Sequence, residues 1–181
     1  MKTLKPLLCA LAVVACGALS GCSKSAKSAD VVSSVRAGIA QAGLTDVTTK
    51  EDLDKGVVTL GGHVSANADK DRAEAIAKTL AGPQVVANEI AVILPGSETE
   101  AKKVNSSLDK GIENNLEAAL VEAKLNQAVS YSVKNHVVTL TGEVNSPVIR
   151  ARAETIAGGV LNVQQVVNEL QVKKQKATST N

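Results

Sequence analysis

The chain has no tryptophan, no phenylalanine and a single tyrosine, Tyr131. That scarcity removes the stacking platforms on which single-stranded nucleic acid is held, and it argues against deep insertion into a lipid headgroup layer. Cysteine is nearly as rare: Cys9, Cys16 and Cys22 are the only three in 181 residues. Beyond Cys22 there can be no disulfide framework, thiolate metal site or cysteine nucleophile. A strong charge of either sign is lacking too. The formal charge of +2 is carried by Lys2 and Lys5, so the remainder is balanced and has little sequence-independent attraction for DNA or RNA. Nucleic acid is not an expected partner.

What is present begins with an export leader. Lys2 and Lys5 precede an apolar run from Leu7 to Leu19 that is too short to span a bilayer. It ends in Leu19-Ser20-Gly21-Cys22, small residues followed by a thiol that can take a diacylglycerol, so residues 1–21 are read as a lipoprotein signal peptide and Cys22 as the lipidation site. The alternative, an ordinary secretory leader with an incidental thiol, is disfavoured because lone cysteines are rare in exported chains. Residues 22–29, small and polar, form a tether that reaches about 25 Å at full extension.

An internal repeat organises the rest. Val57-Val58-Thr59-Leu60 returns as Val137-Val138-Thr139-Leu140, each followed by a glycine (Gly62, Gly142) and a valine (Val64, Val144). At the same spacing Arg72-Ala73-Glu74 returns as Arg152-Ala153-Glu154, and Asn88-Glu89 as Asn168-Glu169. Ungapped agreement over that length is a duplication.

Within each copy the periods give helix, strand, strand, helix, strand. Val32, Val35 and Ile39, like Ile112, Leu116 and Leu120, mark the first helix. Val129, Tyr131 and Val133 alternate with polar residues, and turn residues Asp54-Lys55-Gly56 or Lys134-Asn135 make a hairpin with the next strand. Ala73, Ile76, Ala77 and Leu80 are the expected buried stripe of the second helix, as are Ala153, Ile156, Ala157 and Val160, behind the Ser146-Pro147 start. Val86, Ile90 and Val92, or Val166, Leu170 and Val172, form the last strand. The fold class is α+β: two tandem αββαβ domains, each with two helices packed on a three-stranded mixed sheet, the second and third strands parallel. The domains are read as 30–94 and 109–173, with a linker at 95–108 and a disordered tail at 174–181. Four-residue steps through Val104 and Leu108 favour a helical linker, begun by a capping box of Ser97 and Glu100, and Gly111 counts against it. Both outcomes stay open.

The Val-Val-Thr-Leu-x-Gly-x-Val strand, the Ala-Glu-x-Ile-Ala helix and the Val-x-Asn-Glu-(Ile/Leu)-x-Val ending together resemble the BON domain, over residues 30 to 94 and 109 to 173. The layout is similar to dual-domain envelope lipoproteins of the osmotically inducible periplasmic protein Y group. The resemblance implies a non-enzymatic, periplasm-facing module that binds phospholipid or membrane surface and supports outer-membrane integrity. Ser23, rather than an aspartate, after the lipidated cysteine implies sorting to the outer membrane.

No catalytic set can be argued from spacing, and no cofactor is expected. His63 and His136 occupy different positions in the repeats and suggest no shared metal site. Glu51, Asp52 and Asp54 lack the glycine and terminal glutamate of a calcium loop and read as a solvated acidic turn. Glu74 and Glu154 read as surface or inter-element contacts. Gly62 and Gly142 are expected to be structural, at places where helix and sheet approach closely. Asn88 and Asn168 are also expected to be structural, with amides bonded to backbone near the second helix or a neighbouring strand. The first copy is acidic, nine carboxylates from Asp30 to Glu89 facing six bases. The second is flanked by Lys102, Lys103 and Lys110 before it and Lys173, Lys174 and Lys176 after it. If these flanks meet, they make a basic patch for anionic phospholipid; the alternative is a solvated linker and tail. Expected partners are therefore a phospholipid membrane, through the Cys22 anchor and the second domain, and alternatively an envelope protein held by an exposed sheet edge or helix face.

Overall fold

Residues 30–173 are described by a computed structural model, so the leader, Cys22, the tether, Lys174 and Lys176 lie outside the described residues. The first copy is built from α1 (Val32–Gln41), β1 (Val47–Asp52), β2 (Val57–Val64), α2 (Asn67–Ala81), β3 (Val85–Asn88) and β4 (Ala91–Val92). The second repeats the order with α3 (Glu98–Glu122), β5 (Val129–Lys134), β6 (Val137–Val144), α4 (Pro147–Gly158), β7 (Gln165–Asn168) and β8 (Gln171–Val172). Strand β2 is central: β1 pairs with it antiparallel, while β3 and β4 pair with it in parallel. The β5, β6, β7 and β8 set repeats this arrangement. The α+β class and the parallel pairing follow the sequence reading.

The single last strand expected in each copy is divided in two. The cause is the Asn-Glu pair: the Asn88 side-chain oxygen accepts the Ile90 N–H, and that of Asn168 accepts the Leu170 N–H, so the ladder is interrupted there. Each core lies between helices and sheet. Val35, Ile39, Val58, Leu60, Val86 and Ile90 are buried in one; Ile112, Leu116, Leu120, Val138, Leu140 and Leu170 in the other. The stripe of α2 is rotated from expectation: Ala73, Ala77 and Ala81 are fully buried and Leu80 is 38 % exposed. An alanine ridge at four-residue spacing lets the helix lie close to the sheet, where a leucine would hold it away.

Helix α3 is continuous from Glu98 into the second core, so no separate loop divides the linker from the domain. Its start is not the expected capping box. Ser97 makes no side-chain cap, and Glu98 instead accepts the Gly96 N–H, which holds its carboxyl below the usual value. At α4 the expected start is present, with Ser146 accepting the Ile149 N–H and Pro147 in the first turn.

The two sheets meet. Val57 and Ala87 of one pack with Val137 and Val167 of the other. Gln165 reaches across to β3, donating to the Val86 carbonyl at 2.7 Å and accepting the Asn88 N–H at 2.9 Å, so one side-chain amide occupies the place of a neighbouring strand.

Candidate functional site

The repeated polar residues sort into two roles. The Asn88 amide donates to Glu74 at 2.8 Å and to the Lys70 carbonyl on α2, and the Asn168 amide donates to Glu154 at 2.8 Å and to the Arg150 carbonyl on α4. Burial pushes the Glu74 carboxyl up, but the bonds from Asn88 and Lys78 outweigh it and hold it below the usual range. The glutamates that follow the asparagines point the other way. Glu169 accepts from Lys55 at 2.6 Å, and Glu89 accepts from Lys134 at 2.8 Å, so each copy's hairpin lysine is held by the other copy's glutamate. The Glu169 bond raises the Lys55 ammonium above its ordinary value, against the opposing effect of burial. These crossed pairs were not foreseen; the repeated Glu after each Asn was the signal that marked them.

Gly62 and Gly142 have φ of 86° and 120°. A side chain there would meet the Asp46 or Ala128 carbonyl oxygen, so the close neighbour is the chain entering β1 or β5 and not a helix. Nor is the Glu51 to Asp54 group simply solvated. Glu51 accepts the Val31 and Val32 N–H groups at the start of α1, and Asp52 accepts the Asp54 and Lys55 N–H groups of its own turn. In the second copy Val133 stands where Glu51 would be, because α3 arrives as a running helix with no free N–H groups to satisfy at that level. Asp109 of α3 instead accepts the Asn135 and His136 N–H groups of the tight hairpin turn.

Of the flanking lysines, Lys102, Lys103 and Lys110 lie exposed on the first half of α3. Lys102 and Lys110 line a polar cleft of about 760 Å³ between α3, the Gly62–His63 end of β2 and the β5–β6 turn. Lys110 pairs with Glu113 at 3.0 Å. Lys173 is elsewhere: its N–H bonds Val144 at the far end of β6, about 25 Å along the eight-residue strand from the turn. The fold does not bring Lys173 to the leading lysines. Instead it sets Leu94, Val104 and Leu108, which are 65 %, 56 % and 37 % exposed, in the segment that carries Lys102 and Lys103. Val104 and Leu108 share one face of α3 and Lys102 and Lys103 lie around the helix from it, so the segment offers both charged and apolar groups to a lipid layer.

Among the described residues no group of three or more His, Cys, Asp and Glu is placed to hold a metal ion, and no helix is long and apolar enough to cross a membrane. His63 lies at the end of β2 and His136 in the β5–β6 turn.

Comparison with known proteins gives a family model, BON domain, matching residues 27–93 and 108–174. Osmotically-inducible protein Y of Escherichia coli (strain K12) is 30 % identical over 131 residues, which is 71 % of this chain and 63 % of that protein. The chain thus spans less than two thirds of that relative. The C-terminal domain of CdsD, a structural protein of the type III secretion system of Chlamydia trachomatis, aligns over 80 % of this chain and 98 % of its own at 14 % identity, with a TM-score of 0.35.

Proposed function

The chain belongs to the BON domain family, as two tandem copies, and from that premise we propose that it is a lipid-anchored, periplasm-facing protein of the outer membrane that binds phospholipid surface and supports envelope integrity. A BON-domain chain of this kind is a non-catalytic module. The leader ending at Cys22 supports the anchor, and a relative named for osmotic induction supports a role in envelope stress. The observation that supports the lipid reading is a short exposed segment in which Leu94, Val104 and Leu108 occur together with Lys102 and Lys103, the aliphatic pair Val104 and Leu108 on one face of α3 and the lysines around the helix from it. Each lysine near an anionic surface contributes about 1 kcal/mol, and the anchor supplies the local concentration that makes such a weak contact sufficient.

Flotation of the unacylated chain with liposomes tests this. Binding is expected to anionic vesicles, to weaken at high salt, and to be lost in a Lys102→Glu, Lys103→Glu, Val104→Ser variant. Equal binding by that variant overturns the assignment. Cys22→Ala is expected to release the exported chain from membranes, and retention there would show that another element is the anchor. The open outer edges of β1 and β5 favour a second reading, an adaptor that holds another envelope protein without touching lipid, and failure to float under every condition selects it.

A further inference from the structure

The two copies differ most usefully at one edge. Strand β1 pairs only with β2, and β5 only with β6, so among the described residues each keeps an open outer edge. The registers make Thr49 the counterpart of Tyr131, since each stands opposite the core leucine, Leu60 or Leu140. In the second copy the Tyr131 ring packs against the core, and its hydroxyl bonds Glu117 at 3.0 Å and the Glu113 carbonyl at 3.3 Å, which closes the space between strand and helix. In the first copy that space is a groove of about 290 Å³ between α1 and β1, lined by Arg36, Ile39, Leu44, Val47 and Thr49.

Two further features set its chemistry. The Thr49 hydroxyl is enclosed and has no hydrogen-bond partner among the described residues. Arg36 stands where the second copy has Glu117, because the buried pairs Val35 and Ile39 correspond to Leu116 and Leu120. Arg36 is exposed and makes no ion pair among the described residues. The first copy therefore lacks both the aromatic bulk and the carboxylate that complete the same corner in the second.

We propose that the α1–β1 edge of the first copy is a docking groove for an extended acidic segment of a partner protein, added to the sheet as a further strand. Backbone bonds to the open edge of β1 supply the pairing, a large side chain from the segment fills the groove over Thr49, and a carboxylate beside it meets Arg36. The Tyr131 corner is the internal template for this arrangement. The inference is independent of the lipid reading, because the groove lies on α1 and β1 and the lysine surface on α3.

The test is backbone amide NMR of the full chain, titrated with an acetylated and amidated peptide Thr-Glu-Val-Tyr-Val-Glu-Thr, whose alternate residues place tyrosine and both glutamates on one face. Shift changes and slowed hydrogen exchange are expected at β1 amides, with β5 unaffected. Thr49→Tyr, which copies the second domain, should weaken binding more than tenfold. Because that variant tests packing, Arg36→Glu provides an exposed second one; it should weaken the same peptide and favour its Glu-to-Lys counterpart. No binding at millimolar peptide, equal response at β5, or wild-type affinity in Arg36→Glu overturns the proposal. Concentration-dependent protection of β1 without peptide would instead assign the edge to a second copy of the chain.

Discussion

Alanine at position 62 would drive its Cβ into the Asp46 carbonyl oxygen while holding a backbone φ of 86°, and position 142 presents the same conflict with Ala128. Gly62→Ala and Gly142→Ala are each expected to cost about 3 kcal/mol, read from chemical denaturation. The asparagines act through a different term. Removing the half-buried Asn168 amide leaves the Leu170 N–H without its partner while the exposed Glu154 oxygen is hydrated, so Asn168→Leu should lose about 1 kcal/mol, and unchanged thermal unfolding would contradict it. Its counterpart Asn88 is coupled to pH. Glu74 has a folded value below its ordinary 4.5, so its stabilisation is present above that pH and is lost as pH falls through the folded value. Glu74→Gln should flatten the acid limb of the stability profile. Tyr131 gives the alkaline limb. Burial first, then the bond to Glu117, raises it from 10.0 to about 12, so its contribution is intact below pH 10 and is lost as pH rises toward 12. As the chain holds no other tyrosine, phenolate absorbance reports this titration directly.

Elements that share a place in the repeat are started by different means. Helix α1 begins at Val32 with no cap of its own, and the Glu51 carboxylate from β1 meets its free N–H groups. Glu51→Ala should cost the first copy about 1 kcal/mol, whereas Val133→Ala at the equivalent place touches no helix start. Helix α3 carries Gly111 in its interior, where an added methyl would meet nothing within 4 Å. Gly111→Ala is therefore expected to stabilise the helix by up to about 1 kcal/mol, seen as a raised melting temperature; a lowered one would show that bending there is needed. The hairpins differ in the same local manner. Residues 53–56 join β1 to β2, while Asn135 and His136 alone join β5 to β6, with φ of 47° and 67° suited to a tight hairpin turn.

At the scale of the molecule, the two copies are joined by a small apolar contact, crossed lysine–glutamate pairs and the bridge from Gln165. The ion pairs lie near the surface and contribute little singly, but Glu169 is only 9 % exposed and its partner fixes the relation of one hairpin to the other sheet. Gln165→Ala leaves the Asn88 N–H and Val86 carbonyl without their partner. Calorimetry is expected to show one cooperative transition for the parent chain and two for Gln165→Ala, because the apolar contact left between the two thin cores is small and the ion pairs contribute little. A single unshifted transition in the variant would show that the bridge is not what couples the two cores.

The repeat, the order of elements and the parallel pairing of β2 with β3 were legible in the residues, because apolar period and turn chemistry are local and occur twice. Identity of sequence also marked Asn88, Asn168, Glu74 and Glu154, though it could not say that they bond one another across the gap between helix and strand. What only the tertiary structure decided is where residues distant in sequence meet. Glu51 finds α1, Lys55 and Lys134 find glutamates of the other copy, and Gln165 takes the place of a strand. It also separated Lys173 from Lys102, Lys103 and Lys110, since the ends of β6 lie a full strand length apart, and it rotated α2 onto its alanines. Period specifies which face of an element is apolar; the direction and depth at which that face meets its neighbours depend on packing of the whole chain, which no local pattern contains.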